Sequence, residues 1–464
     1  MNIVFIGGGS LRLVPIMRAL FQVNGLLEGS SIRLVDLQIN RAEAVGTMIR
    51  RCPEYKKANC SVLWTNNLDS ALDGADVVYV TMAMARQPSE NLACKLAAEY
   101  GYMHTDQLSI NGAFLCARGG NTIMNFAHKM EKYCPDALML LFCNPVQAFA
   151  AAVTNHTKIK ALGICGGFSN HRWDLSRICG RDICDPGWDV VAAGVNHFSF
   201  ILRGTYNGRN MFDVIDEAVV EGWEPMQITT YHMPEAAQEG LKKVVKLYKR
   251  FGTLIFSTEP EGLGYLNHSE IIAAQKIDAK EKLKGFDFEN DAAANQAEVE
   301  NSFAKFRDMA MSDKEPDWTP EIYNNILTGI AIGDITVPIL KAIAGMEKMR
   351  ITASHPNINQ AVRDMPEGTA LEYTMDIDGK SITPVEDLYI PSPFKGIIAG
   401  FSEHQTLLGD AIATNDGKTF ANALEAFPMN SYESNRVEFF RKMFEIFDDI
   451  PKELQEGVNF LDWQ

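Results

Sequence analysis

Met1–Leu11 reads MNIVFIGGGSL, an apolar stretch suited to a buried strand that runs into three glycines and then a helical pattern. Glycines at such a turn let the backbone bend tightly and come close to a dinucleotide pyrophosphate, while free N–H groups and the helix dipole favour its negative charge. Gly7 and Gly9 supply the G-x-G, with Gly8 between them and Ser10 after, but Arg12 stands where the third glycine of G-x-G-x-x-G would fall. The surrounding pattern supports the reading. After an apolar-rich helical stretch over Leu13–Leu27, Ser31–Leu37 reads SIRLVDL, a second strand whose Asp36 lies 27 residues after Gly9. A carboxylate there suits the ribose hydroxyls of NAD and would repel a 2′-phosphate. The competing reading is a glycine turn followed by an ordinary surface acid.

Composition narrows the class. The chain has 464 residues, 46% hydrophobic and 22% charged, which is globular usage with room for two or three domains. No apolar run reaches the roughly 18 residues that span a bilayer, and Met1 leads directly into a strand without a basic region or cleavage site, so no membrane span or signal peptide is expected. A net charge of −16 argues against nucleic acid, whose phosphates require a basic surface. Nine cysteines, an odd number scattered over a long chain, point to reduced thiols in the cytoplasm.

Strand and helix patterns alternate through the first third, as a doubly wound parallel sheet requires. Ser61–Thr65, Ala75–Ala83, Ala137–Cys143 and Ile159–Cys165 read as strands, and Leu68–Leu72 and Asn121–Tyr133 as helices. From Val190 the character changes: Val190–His197 and Phe198–Tyr206 read as longer strands, then helices dominate, with a charge-rich stretch over Lys276–Pro320. The expected architecture is α/β: a Rossmann-type domain over residues 1–190 and a packed α+β domain over 191–464 for substrate and assembly, with the substrate between them.

Three groups fall at expected strand ends. Asn144, before Pro145 in LLFCNPVQ, is either a hydrogen-bonding amide or a turn residue. Cys165, in ALGICGGFSN, has two glycines beside it that leave room around sulfur; it is either a ligand or inert core. Asn196 and His197, in AAGVNHFSF, offer an amide for substrate and an imidazole, or a hydrogen-bonded structural pair. A thiolate and an imidazole from two strand ends would leave positions on a divalent metal open to substrate oxygens.

The order of these pieces, GGGS, GADVVYVT, YGYMHTDQ, PDALMLLFCNP, a strand ending in Cys, and GVNHFSF, resembles glycoside hydrolase family 4, the NAD- and manganese-dependent glycosidases. The resemblance continues through RFGTLIFSTEPEG and AIATNDGKTFANALEAFPM and so spans most of the chain. It implies glycoside cleavage by a redox route, an exception to the usual two-carboxylate mechanism. NAD takes hydride from C3, a metal on the C2 and C3 oxygens stabilises the enediolate, a base removes the C2 proton, the C1 substituent leaves, water adds, and NADH returns the hydride. Cys165 and His197 match the metal ligands, Asn144 the substrate-binding amide, and Asp106 an acidic position near the sugar. The expected partners are a small-molecule glycoside and further copies of the chain, as a homodimer or homotetramer.

For the base, the resemblance points to Glu259 in FSTEPEG, with Tyr265, Tyr231 and Glu261 as rivals. A carboxylate serves only if burial or a neighbouring carboxylate lifts its pKa. The sequence departs from the family after the metal-binding cysteine. Branches that act on 6-phosphosugars show Cys-Asp-Met-Pro or Cys-Asn-Val-Pro, whereas here Gly166-Gly167-Phe168 follow Cys165, and the His that follows Cys in several other branches is missing. His171, Asp174 or His268 could then assist the leaving group, and a non-phosphorylated or uronic α-glycoside is the expected substrate. Two other readings explain the glycine turn: an NAD-dependent dehydrogenase of a hydroxy acid or sugar, which needs no Cys165, and an NAD-binding regulatory protein, which would turn over no sugar.

Overall fold

The computed structural model describes residues 1–84, 89–102, 105–166, 174–181, 185–226, 235–256, 262, 265–266, 288–316, 318, 335–429 and 436–461. Six strands of the first third, β1 (Asn2–Ile6), β2 (Ser31–Val35), β3 (Ser61–Thr65), β4 (Val77–Val80), β5 (Leu138–Leu141) and β6 (Lys160–Gly163), pair in parallel in the order β3-β2-β1-β4-β5-β6. This is the doubly wound nucleotide-binding order, and the strand order reverses between β1 and β4. Every residue of β4 (VVYV) and β5 (LMLL) is buried. Such strands read as continuous apolar runs because both sheet faces are covered.

The second half extends the same sheet. It adds β7 (Trp188–Val195), β8 (Phe198–Tyr206), β9 (Arg209–Asn210), β10 (Leu254–Phe256), β11 (Met349–Pro356), β12 (Ala370–Asp378) and β13 (Ser381–Pro384). β11 pairs antiparallel with β6 at Ser354 and Gly163, and the sheet continues through β12, β7, β8 and β10. Residues 190 and 191 thus both lie inside β7. Helices were expected to dominate after residue 206, and the β11–β12 hairpin adds to them two long strands that the sequence pattern did not mark. Its strands are buried on both faces over most of their length, so the period-two alternation that marks a half-exposed strand is absent.

Two helix boundaries also differ from expectation. The first helix is Leu13–Gln22, shorter than Leu13–Leu27, and Gly25 beyond it has a φ of 76°. The helix expected from Asn121 begins at Ile110, where the Ser109 hydroxyl accepts a hydrogen bond from the Gly112 N–H at 3.0 Å. Gly119 and Gly120 weaken helix propensity there. The packing requires Gly120, since a Cβ on it would stand 2.5 Å from Cβ of Ile412 in the helix Lys395–Thr414.

The charge-rich stretch contains a helix, Phe288–Met311, that lies on the helix Ile39–Arg51 just after β2. Arg41 stacks over Phe303 at 3.8 Å from the ring centre. Arg51 donates to the carbonyls of Met309 (2.9 Å), Ala310 (2.9 Å), Ser312 (2.7 Å) and Lys314, closing a helix C-terminus with the cation its dipole favours.

His404 is fully buried in the helix Lys395–Thr414, its Nδ1 2.7 Å from the Ala423 carbonyl oxygen. Burial pushes its imidazole down to about 4, against the opposing pull of that hydrogen bond. Between pH 4 and 6.5 the unfolded chain therefore binds a proton here that the native state refuses. This contribution is complete above the unfolded pKa of about 6.5 and is lost as pH falls toward about 4, amounting to about 3 kcal/mol. Urea melts of His404→Gln, whose amide can also donate to Ala423, should lose about 3 kcal/mol less stability than the parent over that range. Equal slopes for the two proteins would refute the assignment.

Candidate active site

At the carboxyl ends of β1 and β2, the N–H groups of Gly7 and Gly8 both donate to the Val35 carbonyl, at 2.9 and 2.8 Å. Gly7 has a φ of 86°, and a Cβ there would overlap the Thr81 carbonyl oxygen at the end of β4. A Cβ on Gly8 would stand 2.7 Å from the Val35 nitrogen, and one on Gly9 2.5 Å from Cβ of Arg41. The glycines are thus required by the close approach of three strand ends. Asp36 is tied to the same turn, one carboxylate oxygen accepting from Gly9 N–H and the other from Gln38 N–H, each at 2.9 Å. The helix that follows has no side-chain cap and no acid in its first turn, as suits a helix start that receives an anion from a ligand. Arg12, in place of the third glycine, lies over the Phe142 ring beyond β5, 4.4 Å from its centre.

The strand ends beside this turn carry the other groups. Asn144 donates from Nδ2 to Asp106 Oδ2 at 2.8 Å, so two residues expected at the sugar meet across 38 positions of sequence. Gln107, next to Asp106, accepts from Val146 N–H at 3.1 Å and holds the pair's two segments together. Burial, reinforced by the Asp106 charge, raises the carboxyl of Glu90, and burial with the charges of Glu90 and then Asp106 pushes the Cys94 thiol up to about 11.

Cys165 follows β6, and His197 occupies the turn between β7 and β8. The sheet brings Sγ and Nε2 to 3.4 Å of each other. Cys165 is half-buried, whereas Cys116 and Cys143 are buried. Bonds of about 2.3 Å to sulfur and 2.1 Å to nitrogen, meeting at about 90–110°, separate the two donors by about 3.1–3.6 Å. The pair therefore fits one divalent ion. Among the described residues no third His, Cys, Asp or Glu completes a cluster with them.

Other expected residues fall differently. Asn196 is 1% exposed and donates from Nδ2 to Glu372 Oε2 at 2.6 Å. β12 brings this carboxylate beneath the turn, where it holds the amide nitrogen. Tyr265 is buried against Phe198 and Phe401 and donates its hydroxyl to the Leu108 carbonyl. Asp174 stands 4.0 Å from Arg177 on one helical turn. Glu259, Glu261, Tyr231, His171 and His268 lie outside the described residues. Sequence reasoning missed Gln107, Gln147 and Glu372. The available signal was a polar residue inside an otherwise apolar segment, as in ALEYTM around Glu372.

Residues 2–179 match the family model described as family 4 glycosyl hydrolase, and residues 192–430 match that of the family 4 glycosyl hydrolase C-terminal domain. The chain belongs to glycosyl hydrolase family 4. Among family 4 relatives, an α-galactosidase of Bacillus subtilis (strain 168) is 24% identical over 223 residues, 47% of this chain and 51% of that protein, so the match spans about half its length. An α-galacturonidase of Thermoanaerobacter italicus is 20% identical over 470 residues, 96% of each chain. The fold is shared with a 6-phospho-β-glucosidase from Thermotoga maritima solved with manganese, NAD⁺ and glucose-6-phosphate, with a TM-score of 0.76, 15% identity, and coverage of 97% of this chain and 99% of that one. Among the described residues no helix is long and apolar enough to cross a membrane.

Proposed function

We propose that this chain is an NAD- and divalent-metal-dependent glycosidase that cleaves a non-phosphorylated or uronic α-glycoside. The observation that carries the reading is the 3.4 Å approach of Cys165 Sγ to His197 Nε2, on the same sheet edge as the Gly7–Gly9 turn and Asp36. A dehydrogenase of the same nucleotide fold has no need of that pair. When bound, NAD supplies a hydride acceptor and donor for C3 of the sugar, and Mn²⁺ or another divalent ion supplies a Lewis acid for its C2 and C3 oxygens.

Cys165 and His197 would hold the ion, supplying a thiolate and a neutral imidazole as donors. Gly7, Gly8, Gly9 and Ser10 form the tight turn that lets the pyrophosphate approach the start of the following helix, their own N–H groups being spent inside the turn on Val35, Asp36 and Gly7, and Asp36, anchored through Gly9 and Gln38, accepts the ribose hydroxyls. Asn144, its amide oriented by Asp106, presents its oxygen to a sugar hydroxyl. Glu259 takes the C2 proton, after which the C1 substituent leaves and water adds. Tyr265 is the second candidate for the base, and its hydroxyl would first have to leave the Leu108 carbonyl. The uronic or unphosphorylated substrate is supported by Gly166-Gly167-Phe168 after Cys165. The proposal includes a cofactor unit over residues 1–190, a substrate and assembly unit over 191–464, a homodimer or homotetramer, and a cytoplasmic location.

The test is a screen of aryl glycosides and uronides of both anomers with NAD, Mn²⁺ and a reductant in D₂O, followed by NMR. Cleavage with deuterium at C2 of the product and no accumulating NADH is the expected result. NADH formed in step with an oxidised, uncleaved sugar would make the chain a dehydrogenase instead.

A further inference from the structure

The turn that carries His197 has a backbone conformation that needs support. His197 has a φ of 66°, in the left-handed region that a non-glycine residue occupies only when its surroundings hold it there. Two buried side chains from distant segments converge on the residues flanking it. Glu372 of β12, 3% exposed, accepts at Oε2 from Asn196 Nδ2 at 2.6 Å and at Oε1 from the Ser199 hydroxyl at 3.4 Å. It thus binds the turn on both sides of His197. Gln147, 1% exposed, accepts at Oε1 from Asn196 N–H at 2.7 Å and donates from Nε2 to the Ala370 carbonyl at 2.8 Å. Gln147 is the second residue of the helix Val146–His156 that follows Asn144 and Pro145, and Ala370 lies two residues before Glu372, so one network links the Asn144 segment, β12 and the His197 turn.

The strand register makes room for it. Glu372 stands opposite Gly194 on β7 and Ser354 on β11, and Ser354 stands opposite Gly163 of β6, two residues before Cys165. A Cβ on Gly194 would press into Ser199 and the Phe198 carbonyl, so the missing side chain lets Ser199 close toward Glu372. The buried amide of Asn196 can have only one orientation, because its Nδ2 faces a carboxylate.

We propose that Glu372 is a positioning residue for the Cys165–His197 pair, acting through Asn196 and Ser199 to hold Nε2 of His197 where it can share an ion with Cys165 Sγ. This rests on the reading of that pair as metal ligands. Groups that orient a metal ligand through hydrogen bonds typically change metal affinity by about 10–100-fold when removed. Glu372→Ala should lie in that range. Glu372→Gln keeps an oxygen for Asn196 Nδ2, and the Ser199 hydroxyl can turn to accept from the new amide, so this variant should stay within about fivefold of the parent.

The experiment titrates NAD-saturated full-length protein with Co²⁺ and follows the thiolate-to-cobalt charge-transfer band, with NAD affinity measured separately by quenching of protein fluorescence. The expected result is a band in the parent, an about 10–100-fold weaker cobalt titration in Glu372→Ala, near-parental behaviour in Glu372→Gln, and unchanged NAD affinity in both. No thiolate band in the parent would overturn the metal reading and this proposal with it. A parental band with a Glu372→Ala titration equal to the parent's would overturn the positioning role alone, as would cobalt and NAD affinity falling together, which marks general loss of structure. Should Glu372→Ala fail to fold, Asn196→Ala breaks the same hydrogen bond from the other side. It leaves the Ser199 contact in place, so it should weaken the cobalt titration by about 10-fold, toward the lower end of the range for Glu372→Ala, with NAD affinity unchanged; a titration equal to the parent's would overturn the positioning role.

Discussion

Cys165→Ser should lower metal-dependent turnover by about a thousandfold or more while leaving NAD affinity within about twofold, since Lewis-acid stabilisation is worth several kcal/mol. The hydroxyl nearly preserves the shape of the thiol. It does not preserve the donor, because a serine stays protonated at neutral pH and a metal requires a deprotonated, electron-rich ligand. The change is confined to the strand end after β6, whereas the turn expected to hold NAD is built from β1, β2 and Thr81. Paired measurements of kcat with Mn²⁺ and of NAD binding by fluorescence separate the two sites. Undiminished turnover in the serine variant would remove Cys165 from the mechanism. Equal loss of NAD binding would mean that the two sites are one structural unit.

Gly7→Ala carries the second large effect, and it falls on folding before catalysis. Alanine at this position meets two penalties: a φ of 86°, and a Cβ overlapping the backbone oxygen of Thr81. Positive φ alone costs about 1–2 kcal/mol for a residue with a Cβ. Overlap with a strand backbone adds more, because no side chain can rotate away and β1 must shift from β4; a total of about 4 kcal/mol is expected. Gly25 provides the control, having a φ of 76° but nothing within 4 Å of where an alanine methyl group would stand. Urea melts of Gly7→Ala and Gly25→Ala should therefore differ by about 2–3 kcal/mol. If the two variants are equally stable, the glycine serves φ alone and the close approach of β1 to β4 is not what demands it.

Much of the nucleotide-binding half was legible because its signals are local. Strands buried on both faces, such as VVYV and LMLL, appear as short apolar runs, and a turn that admits no Cβ appears as consecutive glycines. Asp36 was legible for the same reason, since a fixed stretch of chain separates the ends of adjacent strands β1 and β2. The helix from Ile110 was partly hidden by Gly119 and Gly120, where packing against another helix overrides propensity. The β11–β12 hairpin was hidden because its partners β6 and β7 lie far back in the chain and its burial on both faces erases alternation.

The candidate site divides along the same line. Sequence alone identified Cys165, His197, Asn144 and Asp106 as chemically capable groups, since thiol, imidazole, amide and carboxylate are properties of single residues, and motif order assigned them to a family. Their meeting depended on the tertiary structure. The inward turn of Asn196 onto Glu372 follows from laying β12 beside β7, while the 3.4 Å between Cys165 and His197 and the Asn144–Asp106 hydrogen bond join segments just beyond strand and helix ends that are remote in sequence. Hydrogen-bond partners in a sheet are chosen by register between segments remote in sequence. Composition and local periodicity carry the character of each segment, and only the folded sheet decides which segments lie side by side.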